Sequence, residues 1–396
     1  MLMDISTIIA FVLVLLLGIA LIRWRKSITI QGLKLFGIPI LYVAMCRGKW
    51  GIPSMNKISK KFPRLSHWFG IVSVIVGFGG MAFITWILLS NVIDLFLKPG
   101  TAPAVMPVLP ISAAGVVPVP ILYFLLCIPL VAMIHEFSHG VLARRYNIPV
   151  QSTGFAVVGA VIPIIPAAFV EPDEKAIGKK RPMQQLAVFA AGPMSNIVLA
   201  GLVLLLLFAI APVTQSIFQN TGAEIVTVTN SSPAALAGLL PGDVITSVGN
   251  ATIKTVLELN AALKNAKPQE VVTFVTNRSL VSFPLGIKPG NPSEGWMGVQ
   301  LRQKEELSES FKNHSLFADF LLWILGFFYW LFLLSFGIGL FNLLPLGPID
   351  GGRMLKTLLE HIHPKGTRVW QAVSAVFVLI IITNLVVGLV LPRLGL

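Results

Sequence analysis

The chain has 396 residues, of which 55% are hydrophobic and only 12% are charged. A soluble globular domain carries about 25% charged residues, so this composition argues against an ordinary soluble protein and favours a polytopic membrane protein. The net charge is +13, and the two cysteines, Cys46 and Cys127, are too few for a disulfide framework or a cysteine-based zinc site.

Six stretches are long and apolar enough to cross a membrane as helices, which takes about 20 residues. They lie near 6–23, 68–95, 120–143, 184–212, 316–341 and 369–392. The first is followed rather than preceded by basic residues, which is the wrong polarity for a cleaved signal and predicts a retained anchor helix. Shorter apolar stretches near 35–46, 103–119 and 155–170 are interrupted by Pro and Gly and are not counted as spans.

The basic residues predict the orientation of these spans. Three loops, 23–67, 144–183 and 353–368, hold 20 of the 30 Lys and Arg residues. By the positive-inside rule the loops are cytoplasmic, and with six spans both termini lie outside the cytoplasm. Topology, with contact to anionic lipid, thus explains the +13 charge. No recognition module accompanies the charge, so nucleic-acid binding is not expected.

A polar stretch, 213–315, separates the fourth and fifth spans. Its alternating segments and turn signals predict a small extracytoplasmic α+β domain with short strands and one helix near 255–266. The predicted organisation has four parts. These are an anchor helix with a basic cytoplasmic segment over 1–67, a membrane domain over 68–212, the inserted domain over 213–312 and a second membrane part over 313–396.

The third span contains an H-E-x-x-H motif, formed by His135, Glu136 and His139. Residues four apart share one face of a helix, so both imidazoles can bind one zinc ion. Glu136 is predicted to be the general base of a metallopeptidase. The alternative is a chance match or a pair of core histidines, but ionisable residues inside a membrane are expensive and usually functional.

A catalytic zinc needs a third protein ligand and an open fourth position. Asp350 is the candidate, because it follows the fifth span in a segment broken by Pro345 and Pro348. Spans three and five run in the same predicted direction, so Asp350 approaches the same side of the membrane as the two histidines. The alternative is an ordinary interfacial loop residue.

These motifs resemble the site-2 protease family of intramembrane zinc metalloproteases over roughly residues 68–392. HEFSH (135–139) matches the family's HExxH, NLLPLGPIDGG (342–352) matches its second motif with Ile349 in place of a Leu, and AGPMSN (191–196) resembles a third feature. The inserted domain resembles a PDZ domain through its SPAA (232–235), AGL (237–239) and PGDVI (241–245) segments. The resemblance implies a polytopic α-helical membrane protein with about six transmembrane helices and one inserted extracytoplasmic α+β PDZ-like domain.

The resemblance also implies an activity: cleavage of peptide bonds inside single-span transmembrane proteins, with Zn²⁺ held by His135, His139 and Asp350. Asn196 and Asn342 map onto polar residues near the metal, where either could bind substrate or the developing oxyanion. From the residues alone, capping of a broken helix explains each of them equally well. The PDZ-like domain would bind a peptide terminus or strand.

Residues 154–171 are β-branched and punctuated by Pro. They are predicted to form a hairpin or looped strand that holds an unwound substrate by strand addition. The alternative is a hydrophobic loop that rests on the membrane.

Three other functions compete with this prediction. A prenyl-protein-type membrane zinc protease would use a later Glu, such as Glu360, as third ligand. An inactive adaptor acting through its PDZ-like domain would have no need of Glu136. A transporter would show inverted repeats, which the sequence does not contain, and His361 and His363 are interpreted as solvated residues near a helix end.

Overall fold

The computed structural model of the chain describes residue 12 and residues 28–35, 38–98, 101–111, 113, 115–159, 163–288, 291–308, 311 and 315–389. Two compact units divide the chain. The first comprises residues 1–207 and 324–396, and the second comprises residues 208–323.

The helices of the described residues, in chain order, are α1 (Ile52–Lys61), α2 (Pro63–Leu97), α3 (Ile121–Arg145), α4 (Glu174–Gly178), α5 (Pro182–Ile217), α6 (Pro233–Leu236), α7 (Val256–Leu263), α8 (Ser315–Asn342), α9 (Asp350–Ile362) and α10 (Gly366–Leu389). Of these, α2, α3, α5, α8 and α10 are long and apolar enough to cross a membrane. They confirm the second to sixth predicted spans as helices. The predicted first span, 6–23, lies outside the described residues except for Val12.

Helices α2, α3 and α5 pack closely because small residues lie where they meet. A Cβ built on Gly70 of α2 would lie 2.9 Å from a methyl carbon of Leu142 and 3.1 Å from Cβ of Ala187. Leu142 and Ala187 are 1% exposed. Small residues are the usual means by which membrane helices approach each other, and here they bring α3 and α5, which carry most of the candidate site, into contact.

A four-stranded antiparallel sheet accompanies the helices of the first unit. Its strands are β1 (Ile28–Leu35), β2 (Ile38–Gly48), β5 (Val150–Gly159) and β6 (Pro163–Pro172), in the order β1-β2-β5-β6. The predicted hairpin over 154–171 is confirmed as β5 and β6, with Phe155 opposite Ala168 and Thr153 opposite Val170. The segment before residue 67, which was predicted only as a basic loop, contains β1, β2 and α1.

The apolar segment 103–119 forms two short parallel strands, β3 (Val108–Leu109) and β4 (Val117–Pro118). The Ala104 N–H donates to Asn384 Oδ1 of α10 at 2.9 Å and to Asn91 Oδ1 of α2 at 3.0 Å. Asn384 is fully buried, so these hydrogen bonds hold the start of the segment against two of the apolar helices.

The second unit has a sheet of strands β7 (Phe218–Val228), β8 (Val244–Val248), β10 (Val271–Thr276), β11 (Leu280–Pro284) and β14 (Val299–Leu307), in the order β11-β10-β8-β7-β14. Strand β9 (Ala251–Thr252) pairs with β8, and β12 (Gly286–Lys288) pairs with β13 (Asn291–Trp296). The predicted helix near 255–266 is α7, which begins with a capping box between Thr255 and Glu258. Ile245, Leu259 and Phe274 are fully buried in a core of this unit's own.

Candidate metal centre

Two helices bring the predicted ligands together. His135 and His139 lie one turn apart on α3, and Asp350 is the first residue of α9. All three are buried, with exposed fractions of 7%, 8% and 8%. Asp350 Oδ2 lies 3.0 Å from His135 Nε2 and 3.3 Å from His139 Nε2, and the two Nε2 atoms are 3.1 Å apart.

These separations fit a tetrahedral zinc ion. Ligand atoms held about 2.0–2.1 Å from zinc at tetrahedral angles stand about 3.3–3.4 Å from each other, close to the three distances in this cluster. Two imidazole nitrogens and one carboxylate oxygen are also a donor set that zinc accepts, and three protein ligands leave its fourth position open. The residues present therefore fit zinc.

Each histidine has a second contact that bears on its tautomer. His139 Nδ1 lies 2.6 Å from the Val188 carbonyl oxygen of α5. Because a carbonyl oxygen only accepts, Nδ1 must carry the proton, and the Nε2 lone pair faces Asp350. Ligating histidines commonly use such a bond to fix the ring.

Asn196 of α5 makes the corresponding contact to His135. It is fully buried, and its amide nitrogen lies 3.2 Å from His135 Nδ1, while its amide oxygen is buried without a hydrogen-bond partner. A half-turn of the amide exchanges the two atoms. Oδ1 then accepts from the Nδ1–H of His135, which leaves the Nε2 lone pair of His135 free for a metal.

Gly192 of α5 leaves the space that the ligands occupy. A Cβ at this position would lie 2.6 Å from His135 Nε2 and closer still to His139 Nε2. Real Cβ atoms do not approach other atoms so closely. Position 192 must therefore be glycine for the two ligand atoms to stand where they do.

Polar contacts between α3 and α5 fix the position of Gly192 relative to the histidines. The Ser138 hydroxyl lies 2.8 Å from Ser195 Oγ and 3.2 Å from the Ala191 carbonyl oxygen. Ser195 also donates to the Gly192 carbonyl oxygen at 2.7 Å. Side-chain hydrogen bonds of this kind hold membrane helices in register.

Glu136 lies on the side of α3 that meets the sheet. Its Oε2 accepts a hydrogen bond from the backbone N–H of Val170 on β6 at 3.0 Å. Among the described strands β6 is the outer strand of its sheet, so the N–H that reaches Glu136 belongs to the free edge. The predicted general base and the edge of the predicted hairpin are thus in direct contact.

The remaining predicted residues lie elsewhere. Asn342 ends α8, and its amide donates to the Ile338 carbonyl of the same helix at 3.0 Å. Glu360 is exposed on α9, where it accepts from Thr367, and His361 and His363 are exposed nearby. The metal-ligating group found among the described residues contains Asp350 and not Glu360.

Sequence reasoning missed the roles of Gly192, Val188 and Val170. Gly192 was part of the AGPMSN motif, and its distance of one turn from Asn196 was the signal that both face the same neighbour. The Val188 and Val170 contacts use backbone atoms, so no side-chain pattern in the sequence indicates them.

Comparison with known proteins agrees with this geometry. The family model of peptidase family M50 matches residues 123–288 and 303–383, more than half of the chain. An uncharacterized protein of Methanocaldococcus jannaschii is 25% identical over 387 residues, covering 96% of this chain and 93% of its own. The zinc metalloprotease RasP of Shouchella clausii is 27% identical over 262 residues, covering 55% of this chain and 59% of its own.

The zinc metalloprotease Rip1 of Mycobacterium tuberculosis is 27% identical over 191 residues, covering 37% of this chain and 46% of its own. The chain therefore matches only about half of the length of these two named proteases. A solved PDZ domain of an SdrC-like protein from Listeria monocytogenes aligns with 20% of this chain and 87% of its own, at 21% identity and a TM-score of 0.19. From the family match and its apolar helices, the chain is a multi-pass membrane protein that belongs to peptidase family M50.

Proposed function

We propose that this protein is an intramembrane zinc metalloendopeptidase that hydrolyses a peptide bond inside the transmembrane segment of a single-span membrane protein. One observation carries the proposal: the ligand atoms of His135, His139 and Asp350 stand 3.0–3.3 Å apart, and the two histidines share with Glu136 a helix, α3, that is long and apolar enough to cross a membrane. The family match and the named proteases RasP and Rip1 support the same class of reaction.

When bound, zinc supplies a Lewis acid that brings the pKa of its water down to about 7 and polarises the scissile carbonyl. Glu136 takes a proton from the attacking water as the oxygen joins the carbonyl carbon. It then gives that proton to the amine nitrogen as the C–N bond breaks. Asn196 holds His135 in the tautomer that presents Nε2, which makes it a positioning residue rather than an oxyanion donor. Asn342 remains a candidate for binding the substrate backbone.

The free edge of β6 would hold the substrate. A helix must unwind before it can be cut, and its freed backbone groups then need hydrogen-bond partners. Strand addition to β6 supplies them, and the Val170 N–H already bonds an acceptor at this edge, the carboxylate of Glu136. A substrate carbonyl that takes the place of this carboxylate would lie beside the general base and release it for proton transfer.

The proposed orientation follows the basic loops. Residues 23–67, 144–183 and 353–368 face the cytoplasm, while both termini and the inserted domain lie outside it. The active site then lies toward the cytoplasmic side of a cell membrane. The inserted domain would bind a chain terminus or strand of a trimmed substrate in the manner of a PDZ domain.

Cleavage of a defined substrate tests the proposal. The purified full-length protein, in proteoliposomes, is incubated with a single-span test protein, with and without a zinc chelator, and the products are identified by mass spectrometry. Wild type and Glu306→Gln, which changes an exposed acid of the second unit, should both cut within the span. The chelator and Glu136→Gln should each lower the rate by at least about 100-fold, since they remove the Lewis acid and the base. Cleavage that survives Glu136→Gln would contradict the mechanism.

A further inference from the structure

An apolar cavity of about 230 Å³ lies beside Glu136. Three parts of the first unit enclose it: α1 with the turn before it, the middle of α3, and the β5–β6 hairpin. Its main apolar side chains are Trp50, Met55, Met133, Phe137 and Phe155. Among the lining residues that the structure describes, Glu136 is the one with an ionisable side chain. The cavity therefore opens next to the proposed base but is otherwise lined almost entirely by hydrocarbon.

The part of the wall that comes before α3 is firmly held. The Trp50 carbonyl oxygen accepts a hydrogen bond from Thr153 Oγ1 at 2.6 Å. The centroid of the Trp50 ring lies 6.0 Å from that of the Phe155 ring. Met55 is 2% exposed because its thioether packs against Gly140 of α3. Trp50 and Met55 both lie outside the residues matched by the family model, which begin at 123. This part of the wall comes from the N-terminal region of the chain.

The cavity faces the place where a substrate strand would lie. Phe155 and Ala168 are cross-strand partners, as are Thr153 and Val170, so these four residues share one face of the hairpin. Successive side chains of an added strand point to opposite faces of the sheet. If the carbonyl beside Val170 is the one attacked, a side chain next to it points to the face that carries the cavity.

We propose that this cavity is a specificity pocket that receives one large apolar side chain of the substrate, next to the cleaved bond. The inference rests on the proposed function. An apolar cavity of about 150 Å³ is large enough to hold benzene, so 230 Å³ accommodates Leu, Met or Phe. An acidic side chain is excluded, because it would be buried beside the Glu136 carboxylate without a partner. Trp50 and Met55 set the size that the pocket accepts.

An apolar pocket of this kind discriminates between substrates, and the ratio of their kcat/KM values measures the discrimination. A single methylene in an apolar pocket changes kcat/KM by about 10- to 200-fold. Substrates with Leu or Phe at the preferred position should therefore be cut at least about 10-fold faster than substrates with Ala, as a ratio of kcat/KM. The ratio compares two substrates of the same enzyme, so it is insensitive to the fraction of enzyme that is active.

The test uses the full-length protein in proteoliposomes and single-span substrates that differ only at the two positions flanking the cleaved bond. Each position carries Ala, Leu, Phe or Glu in turn. Ala168→Leu fills the cavity and should reverse the preference toward Ala. Trp50→Ala opens the cavity and should lower the Leu-to-Ala ratio below about 3-fold. Trp68→Ala removes an exposed Trp of α2 that does not line the cavity, and should keep the wild-type ratio.

The outcomes separate this inference from the proposed function. Wild-type cleavage with the same Leu-to-Ala ratio in Ala168→Leu and Trp50→Ala would overturn the pocket and leave the protease standing. Absence of cleavage by the wild type would overturn both. The zinc content of each variant is measured in parallel. If Ala168→Leu loses zinc, Ala168→Val takes its place, because it fills less of the cavity and should also shift the Leu-to-Ala ratio toward Ala.

Discussion

On one side of Glu136 the candidate site is helical, and on the other side it is a β-sheet. The helical side holds the zinc ligands, which come from α3 and α9, with Asn196 and Gly192 added by α5. The sheet side offers the free edge of β6 through the Val170 N–H. The two sides meet at Glu136, which follows His135 in the chain and whose carboxylate accepts the Val170 N–H.

The two sides differ in how tightly their geometry is constrained. Around the ligands, each atom has a close neighbour, and a change of a few tenths of an ångström breaks the fit to zinc. At the β6 edge the groups are backbone atoms, whose positions depend on strand pairing rather than on side chains. Substitutions on the helical side should therefore abolish metal binding, while substitutions on the sheet side should alter substrate handling and leave zinc in place.

Gly192→Ala should have the largest effect. The new Cβ would be within 2.6 Å of both Nε2 atoms, which must move apart or leave the metal. We expect zinc affinity and kcat/KM to fall by at least about 100-fold, the upper range for loss of a supporting contact. The matched control is Gly201→Ala on the same helix, where a Cβ has nothing within 4 Å. Equal zinc content in Gly192→Ala and Gly201→Ala would contradict the claim that a Cβ at position 192 displaces the ligand nitrogens.

Asn196→Ala should weaken zinc binding by about 10- to 100-fold, because His135 loses the partner that fixes its tautomer. Asn196→Asp retains an acceptor for the Nδ1–H and should recover most of the affinity. Competition with a chromogenic chelator measures both values. If Asn196→Ala and Asn196→Asp bind zinc with equal affinity, Asn196 does not orient His135, and direct binding of the substrate becomes the better explanation for this residue.

Val170→Pro removes the N–H that faces Glu136 but no hydrogen bond to β5, since that N–H points away from β5. Proline is tolerated at such edge positions. The expected result is full zinc content with kcat/KM lowered by roughly 10-fold, the value of one hydrogen bond to a bound substrate. Val170→Ala keeps the N–H and serves as the control. Loss of zinc in Val170→Pro would show that the two sides are not separable.

Glu171→Gln should have the smallest effect. Burial raises the pKa of Glu171, but hydrogen bonds from Ser152 and Arg47 outweigh it and hold the pKa below its usual range. The Arg47 guanidinium is 3.1 Å away, and both side chains are about a third exposed, so solvent screening limits the pair to less than about 1 kcal/mol.

A carboxyl whose pKa is lowered by folding stabilises the protein above its unfolded pKa, about 4.3 for Glu, and loses this contribution as the pH falls. The variant should therefore unfold at a slightly lower temperature than wild type at pH 7, and the difference should shrink toward about pH 3. Thermal unfolding at the two pH values measures it, with Glu306→Gln as control. If the difference in unfolding temperature between wild type and Glu171→Gln grew as the pH fell, the lowered pKa of Glu171 would be contradicted.

The helical side of the site was largely predictable from the sequence. The four-residue spacing of His135 and His139 is a local property of a helix, and Pro345 and Pro348 predict the break that places Asp350 at the start of α9. The hairpin was also predictable, since its strands are neighbours in the chain. Its role in holding substrate stays a prediction.

The rest depended on long-range contacts that leave no local pattern. Strand β1 pairs with β2, and β2 pairs with β5 more than 100 residues later, but the basic, Gly- and Pro-containing sequence of β1 and β2 predicted only a loop. The cavity beside Glu136 shows the same limit. Trp50 and Met55 are ordinary residues in sequence, and become candidates for substrate selection only through Thr153 and Gly140, which lie about 100 and 85 residues away.

The zinc content of the purified full-length protein tests the central claim most directly. Wild type should hold about one zinc per chain. Asp350→Asn should lose most of it, while Glu360→Gln, an exposed acid of the same helix, should keep it. Retention of zinc by Asp350→Asn together with its loss from Glu360→Gln would contradict the three-ligand site and favour the prenyl-protein-type alternative.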